Sequence, residues 1–268
     1  MRPLTDKIPK PLIPVFHKPL LTFALDHFLA LGISKIGLNT RYLYENFYRE
    51  FSISSESLSP NGENTYQALG SYEGHPIHLF REPVHIDSAG ALRNARAFLE
   101  EGPCLLHNGD ILSTIPLAPL IEHHRKSDSI ATLLLRQEGG LKNVCFNEAT
   151  NTILDIRGRT KTAAPGSLFF YPGIAILEPT LLDWISPKEG PACLINTLLA
   201  AMQAGCRVAG LVSREGFATD LGTPETYLKA HRDILDHHWT FPYPLQGPEA
   251  AHWPRVTSSI LDAPLPLV

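Results

Sequence analysis

The chain has 268 residues, with 23 Lys and Arg against 27 Asp and Glu, which gives a formal net charge of −4. Hydrophobic residues make up 44% and charged residues 19% of the chain, a globular composition that excludes an intrinsically disordered protein. The sequence lacks an apolar run long enough to span a bilayer, a signal-peptide core, and the basic charge of a nucleic-acid-binding protein. We therefore expect a cytoplasmic protein that binds neither membranes nor nucleic acid.

Helical and strand patterns alternate along most of the chain. In the first half of the chain, the sequence predicts a helix at Leu20–Leu31 that stops at Gly32, a strand at Lys35–Asn39, a helix at Tyr42–Phe51, a loop at Ser52–Gly74 with a short ordered piece near Tyr66–Leu69, a strand at Ile77–Phe80, a helix capped by Ser88, and a strand at Pro103–His107. In the second half, it predicts a helix at Leu117–Arg125, a strand at Ile130–Leu135, short β segments between Asn143 and Leu177, a helix at Cys193–Ala204, a strand at Arg207–Val212, and a helix at Thr223–His238. In the last helix, Thr223 is the expected N-cap and Pro224 the first helical residue.

Repeated βα units are typical of an α/β fold with a mostly parallel central sheet flanked by helices. We assign residues 1–232 to one domain. Residues 233–268 would form the end of the last helix and an irregular, proline-rich tail docked on that domain.

Two carboxylates follow strands or precede helices at places suited to phosphate and metal binding. Asp110, in the run Asn108-Gly109-Asp110, comes directly after a predicted strand, and ligands of open α/β sheets bind beyond the carboxyl ends of strands. Asp220 precedes a capped helix, and a helix N-terminus attracts phosphate. Together they predict a Mg²⁺ site, since Mg²⁺ prefers one or two carboxylates completed by substrate phosphates. An ordinary Asn-Gly-Asp turn and a simple helix start are the alternatives.

The opening of the chain carries a lysine held by prolines. Five prolines between Arg2 and Pro19 impose an extended, irregular path, and Lys10 lies between two of them. The direction of its ammonium group is therefore restricted, which suits phosphate binding beside a metal. The alternative is a plain proline-rich, solvent-exposed leader.

These motifs, in this order, resemble those of the sugar-1-phosphate nucleotidyltransferase family. Arg2–Pro19 is similar to the second half of the family's opening signature, which reads GxGTR, then PLT, PKPLxPV and KP. Asn108–Asp110 and Asp220–Pro224 resemble its two metal-ligand motifs. Ile86–Leu92 resembles its base-recognition loop, and Tyr171–Ile174 resembles the loop that reads the sugar.

The resemblance implies a Rossmann-like nucleotidyltransferase fold and transfer of a nucleoside monophosphate from an NTP to a sugar 1-phosphate. It makes Lys10 and Asp110 catalytic and places Mg²⁺ between Asp110 and Asp220. It assigns sugar binding to Gly173, and nucleotide binding to Asp87, Ser88, Ala89, Gly90, Asn108 and Gly109. With Asp87 in the base-recognition loop, this loop resembles that of the branch containing mannose-1-phosphate guanylyltransferases and N-acetylmuramate-1-phosphate uridylyltransferases. The base, the sugar and assembly into a homo-oligomer stay open.

The chain also departs from the family pattern. The GxGTR loop and the strand before it are absent, so we expect Met1 to be an internal methionine of a longer natural protein. Ala218 stands where the family usually has Trp, and the Glu-Lys-Pro motif has no clear counterpart near Arg157–Arg159. A non-catalytic homologue that binds nucleotide or sugar nucleotide is therefore an alternative, as is an unstable remnant. A GT-A glycosyltransferase is disfavoured because the sequence contains no DxD motif suited to its metal.

Overall fold

The computed structural model describes residues 1–53, 59–60, 66–82, 84–160, 166–188, 190–236 and 238–245. The α-helices of this part are α1 Leu20–Ala30, α2 Tyr44–Glu50, α3 Asp87–Asn94, α4 Arg96–Leu99, α5 Ala118–Lys126, α6 Leu194–Gln203 and α7 Pro224–Leu235. Its strands are β1 Pro14–Val15, β2 Lys18–Pro19, β3 Ile36–Thr40, β4 Ser59–Pro60, β5 Tyr66–Tyr72, β6 His75–Arg81, β7 Cys104–His107, β8 Ile111–Ser113, β9 Ala131–Leu135, β10 Val144–Asn147, β11 Thr152–Ile156, β12 Ser167–Phe169, β13 Ile174–Leu177, β14 Val208–Val212 and β15 Ala218–Asp220. Short 3-10 helices cover Leu4–Asp6, Lys10–Leu12 and Pro179–Trp184. The α/β class expected from the sequence is confirmed.

The largest sheet is mixed, so the expectation of a mostly parallel sheet is wrong. Its strand order is β12-β10-β11-β14-β9-β13-β7, and only β14 and β9 pair in parallel. The reason lies in the connections. Strands β10 to β13 follow one another without an intervening helix, and parallel neighbours need a crossover of about a dozen residues or more. β13 then inserts antiparallel between β7 and β9.

A second sheet, in the order β3-β6-β5-β4, is formed by strands from the first half of the chain. β3 and β6 pair in parallel, whereas β5 and β6 form a hairpin in which Tyr72 pairs with His75. The ordered piece expected near Tyr66–Leu69 falls within β5, which is longer than predicted, and the expectation of a loop is wrong for β4 and for the rest of β5. Residues 54–58 and 61–65 lie outside the described part. Glu73 and Gly74 both have positive φ, 49° and 78°, as a two-residue hairpin turn requires.

Helix α1 packs against elements on both of its sides. Leu20 and Phe23 are buried with Leu112 and Trp239, while Leu21 and Leu25 are buried against the β3–β6 sheet. Burial of each such side chain contributes about 1.5–3 kcal/mol. The helix ends before Gly32, whose φ of 77° suits the left-handed residue after a helix, as the sequence predicts.

The residues after α7 that the structure describes lie on the same body. The Trp239 ring stacks on Phe217 with a centroid distance of 5.4 Å, and the Tyr243 ring stacks on His27 at 4.3 Å. Residues 246–268 of the proposed tail lie outside the described part, and the division of the chain at residue 232 stays a prediction. Across the described helices, none combines the length and the apolar character needed to cross a membrane.

Candidate active site

Lys10, Asp110 and Asp220 meet at one point, although they are far apart in the sequence. The Lys10 ammonium donates one hydrogen bond to Asp110 Oδ2 over 2.8 Å and a second one to Asp220 Oδ1. Asp110 lies between β7 and β8, and Asp220 is the last residue of β15. The structure therefore brings together all three residues that the sequence singled out for phosphate and metal chemistry.

A small antiparallel ribbon positions the two carboxylates. β8 and β15 pair so that Asp220 lies opposite Ile111, and the Leu221 amide donates to the Asp110 carbonyl over 3.3 Å. After Asp220 the chain enters α7, where the Thr223 hydroxyl caps the helix by accepting from the Thr226 amide. The predicted cap at Thr223, with Pro224 in the first turn, is confirmed.

The prolines on either side of Lys10 restrict its backbone. Pro9 has an extended backbone, φ −63° and ψ 142°, and a short 3-10 helix begins at Lys10. Burial pulls the pKa of Lys10 down, but the hydrogen bonds and charges of Asp110 and Asp220 outweigh it, and the pKa is raised above its ordinary value. The side chain therefore stays an ammonium at neutral pH and offers positive charge beside two carboxylates.

The donor set at this point fits a magnesium ion bound together with phosphates. The side chains of Asp110 and Asp220 are 35% and 58% exposed, so their oxygens are open to a ligand. The described residues contain no cluster of three or more His, Cys, Asp or Glu side chains that could enclose a metal by themselves. Two accessible carboxylates suit Mg²⁺, which keeps waters and takes substrate oxygens.

Helix α3 begins two residues earlier than the sequence indicates. The helix starts at Asp87, whose φ is 59°, so the expectation that Ser88 is its N-cap is wrong. Asp87 Oδ1 accepts the Ser88 amide over 2.6 Å instead, and the Ser88 hydroxyl accepts the Leu194 amide over 3.0 Å. Sequence alone could not show this because Leu194 is more than a hundred residues away.

The four residues assigned to the nucleotide loop do not all face the same space. Asp87 and Ser88 line a cavity that also reaches Asp110 and Asp220. Ala89 and Gly90 instead turn their amides to the Ala192 carbonyl, at 2.7 and 3.1 Å. A Cβ on Gly90 would lie 2.8 Å from the Cβ of Ile86, so this glycine is required by close packing.

The Asn108 loop and the Gly173 loop are in direct contact. The Asn108 amide donates to the Gly173 carbonyl over 3.0 Å. Gly173 has a φ of 86°, and a Cβ there would lie 2.3 Å from Asn108 Nδ2. Gly109 lies beside Pro11, because a Cβ on Gly109 would be 3.4 Å from the Pro11 side chain. Asn108, Gly109 and Gly173 all line the cavity that contains the two carboxylates.

Sequence reasoning missed two charged residues near this cavity. Arg157 lines it from the turn after β11 and has a φ of 63°. Glu82 is buried at the end of β6, and burial raises its pKa to about 7, against the opposing effects of Asn39 and Arg41. Arg157 could have been singled out from the sequence, because it is a cation near the place where the family's Glu-Lys-Pro motif has no clear counterpart. The burial of Glu82 depends on packing that no local pattern encodes.

In this α/β fold, two carboxylates and a lysine meet beyond the end of a strand, and such groups are suited to a metal ion and phosphates. The chain belongs to the nucleotidyl transferase family, whose sequence model matches residues 1–237. The membership rests on that match across most of the chain, and the site geometry agrees with it.

Curated relatives and solved structures point to the same family. The chain is 27% identical over 240 residues to mannose-1-phosphate guanylyltransferase of Mycobacterium tuberculosis, covering 88% of this chain and 61% of that protein. It is 26% identical to the catalytic subunit beta of mannose-1-phosphate guanylyltransferase of Dictyostelium discoideum, covering 85% of this chain and 59% of that one. The chain thus spans about three-fifths of the length of these relatives. The fold resembles UDP-glucose pyrophosphorylase of Acinetobacter baumanii, with a TM-score of 0.68, 17% identity, and coverage of 88% of this chain and 89% of that one.

Proposed function

We propose that this protein transfers a nucleoside monophosphate from an NTP to a sugar 1-phosphate in a Mg²⁺-dependent reaction that releases pyrophosphate. The observation that carries the proposal is the convergence of Lys10, Asp110 and Asp220 from three distant segments on one cavity. Membership of the nucleotidyl transferase family supports the same reaction class.

In the proposed reaction, a phosphate oxygen of the sugar 1-phosphate attacks the α-phosphorus of the NTP in line. One P–O bond forms, the bond to the β-phosphate breaks, and pyrophosphate leaves with the electron pair. Asp110 and Asp220 would hold Mg²⁺, which would supply positive charge to the phosphates and orient them. Lys10, kept as an ammonium by its neighbours, donates hydrogen bonds to the phosphate oxygens where negative charge builds up.

The neighbouring loops would bind the two substrates. Asp87 and Ser88 line the cavity and would contact the nucleotide directly, whereas Ala89 and Gly90 would hold the loop in place through Ala192. Asn108 and Gly109 would lie along the nucleotide phosphates. Gly173 would leave room for the sugar, since any side chain there would displace the side-chain amide of Asn108.

The relatives suggest which substrates to try first. Two of them are named mannose-1-phosphate guanylyltransferase, and another is named UTP–glucose-1-phosphate uridylyltransferase, of Synechocystis, 27% identical over 69% of this chain and 47% of that protein. We therefore propose GTP with mannose 1-phosphate as the first pair and UTP with glucose 1-phosphate as the second.

The test is pyrophosphate release from a panel of NTPs and sugar 1-phosphates, with and without Mg²⁺. We expect release for one NTP and sugar pair, abolished by chelation and restored by Mg²⁺. A protein that binds GTP or a GDP-sugar saturably, but releases no pyrophosphate with any pair, would be the non-catalytic homologue instead.

A further inference from the structure

The β1–β2 hairpin carries a strained residue at its turn. Val15 pairs with Lys18, so Phe16 and His17 form a two-residue turn. Phe16 has a φ of 56°, and a positive φ at the first position of such a turn favours glycine. A phenylalanine in this conformation persists only where the surrounding structure holds it. The contacts of Phe16 therefore show what fixes the hairpin.

Helix α7 supplies those contacts through His231. The Phe16 amide donates a hydrogen bond to His231 Nε2 over 3.1 Å, and the centroids of the two rings lie 4.7 Å apart. His231 Nδ1 lies 2.9 Å from the Tyr227 carbonyl, which can only accept, so the imidazole donates from Nδ1 and accepts at Nε2. The ring is therefore neutral. Its burial, which lowers the pKa of His231, favours the same neutral form.

A second contact joins the same helix to the same hairpin. Tyr227, about one turn before His231 on α7, donates from its hydroxyl to the Pro14 carbonyl over 2.5 Å. Side chains four residues apart lie on one face of a helix, so one face of α7 holds the hairpin at two points. Between them, Val15 is fully buried in a cluster that includes Leu221, just before α7.

The two segments joined in this way are the ones that carry Lys10 and Asp220. The 3-10 helix that begins at Lys10 ends at Leu12, which is buried, and the hairpin begins at Pro14. Asp220 ends β15, and Thr223 caps α7. Because both connections are short and ordered, a shift of the hairpin along α7 would move the Lys10 ammonium relative to the Asp220 carboxylate.

We propose that His231 is a positioning residue: by accepting the Phe16 amide, it fixes the hairpin on α7 and so sets the place of the Lys10 ammonium beside Asp220. The inference rests on the proposed function, which gives Lys10 and Asp220 their roles. His231 acts through them, since it is not one of the described residues that line the cavity. The required property is an acceptor at Nε2. A side chain that accepts at the same place should therefore replace His231, and an apolar one should not.

The test compares three variants with the unaltered protein, each in the form that its own cells produce. His231→Gln keeps an acceptor near the position of Nε2, whereas His231→Leu removes the acceptor and keeps a side chain of comparable size. The matched control is Ile234→Ala, which removes buried volume further along α7 and leaves the two hydrogen bonds to the hairpin intact. We would measure hydrogen exchange of the Phe16 amide, the Tm, and kcat and KM with the NTP and sugar 1-phosphate that release pyrophosphate.

We expect His231→Leu to speed exchange of the Phe16 amide and to lower kcat, each by about tenfold, the factor that corresponds to one lost hydrogen bond, with KM nearly unchanged. His231→Gln should keep the exchange rate and kcat close to those of the unaltered protein. Ile234→Ala should lower the Tm and leave kcat unchanged. Unchanged exchange in His231→Leu would overturn the proposal, as would faster exchange with an unaltered kcat. An equal loss of kcat in His231→Gln would also overturn it, because the acceptor would then not be the required property.

The same experiment separates this inference from the proposed function. If the unaltered protein releases no pyrophosphate with any pair, the proposed function fails, and with it the role of His231 in positioning Lys10. Exchange of the Phe16 amide would still decide whether His231 holds the hairpin. If the unaltered protein releases pyrophosphate and His231→Leu does so at the same rate, the proposed function stands and this inference alone is refuted.

Discussion

Lys10 combines two properties that the proposed chemistry requires: a fixed direction and a permanent positive charge. Pro9 and Pro11 restrict the backbone on both sides of the lysine, and its two carboxylate partners raise its pKa. A lysine with a raised pKa does not lose its proton between pH 6 and pH 9. Its contribution to the reaction should therefore be independent of pH across that range.

We predict that Lys10→Met lowers kcat by about 10²–10³-fold, as removal of one preorganised donor to transition-state charge typically does. The residual activity should keep the pH profile of the wild type, since Lys10 does not titrate in the assay range. Lys126→Met on the exposed side of α5 is the matched control and should leave kcat unchanged. Steady-state kinetics check both, and equal kcat for the Lys10 variant and the wild type would contradict the role.

Gly173 offers a second test at the scale of one residue. Gly173→Ala forces a left-handed backbone on alanine, at a cost of about 1–2 kcal/mol. The new methyl group would also clash with the side-chain amide of Asn108. Gly205→Ala is a matched control, because its φ of 91° is similar and no atom lies within 4 Å of its Cβ position. Both variants should lose stability in urea unfolding. Only Gly173→Ala should raise the KM for the sugar 1-phosphate, and an equal KM in the two variants would place the sugar elsewhere.

At the scale of elements, the sequence predicted local structure well and pairing poorly. Helix α1 could be predicted from apolar spacing and Gly32, and α7 from Thr223 and Pro224, because these signals are local. The mixed order of the large sheet could not, since β13 inserts between β7 and β9 through contacts far apart in the chain. The prediction that Ser88 caps α3 was wrong for the same reason, because the Ser88 hydroxyl accepts from the distant Leu194 amide.

The candidate site shows the same division between local and distant information. The motifs around Lys10, Asp110 and Asp220 could be recognised one by one, and their convergence could be expected from strand ends and helix starts. That Ala89 and Gly90 face Ala192 could not be predicted, because Ala192 approaches from the segment before α6.

A buried ion pair connects β2, α1 and β5. Lys18 and Asp26 have side chains 2% and 0% exposed, with 3.2 Å between Nζ and Oδ2, and the Tyr72 hydroxyl donates to Asp26 Oδ1 over 2.6 Å. Burial and the hydrogen bond to Asp26 raise the pKa of Tyr72, so it stays a neutral donor. The group therefore fixes the segment that carries Lys10 to the β5–β6 hairpin.

We predict that Asp26→Asn destabilises the protein by about 3–5 kcal/mol, because it leaves the Lys18 charge buried without its partner. The double variant Lys18→Met with Asp26→Leu should recover most of that loss, since it removes both charges. Urea unfolding measures both, and Glu122→Gln, which breaks an exposed ion pair with Lys126, should have no measurable effect. A single variant as stable as the wild type would show that the pair does not hold these elements together.

At the scale of the whole molecule, stability should depend on pH through His27. This side chain is 5% exposed and stacks on Tyr243, and its burial, with a smaller effect of His107, lowers its pKa to about 4. The unfolded chain takes up that proton near pH 6.5, so it binds more protons than the folded chain between pH 6.5 and pH 4. The stability due to neutral His27 is thus complete above pH 6.5 and is lost as the pH falls to 4.

We predict that His27 lowers the free energy of unfolding by about 3 kcal/mol at most between pH 6.5 and pH 4. His107, whose pKa burial also lowers to about 4, acts in the same direction. His27→Gln should remove the His27 share of this slope, whatever its effect on stability at pH 7, and the exposed His238→Gln should leave the slope unchanged. Glu82 has the opposite effect. Because its pKa is raised to about 7, its contribution to the free energy of unfolding falls as the pH rises from 4.5 to 7. Urea unfolding at several pH values would contradict the account if the His27 variant kept the full slope.

The central claim is that Asp110 and Asp220 serve Mg²⁺-dependent nucleotidyl transfer together with Lys10. The most direct measurement is pyrophosphate release from GTP and mannose 1-phosphate, made on the protein as its own cells produce it and on its Asp110→Asn form. The account predicts Mg²⁺-dependent release by the first and a loss of at least about 10²-fold in the second, with an unchanged circular dichroism spectrum. Release by the Asp110→Asn protein at the unaltered rate would contradict it.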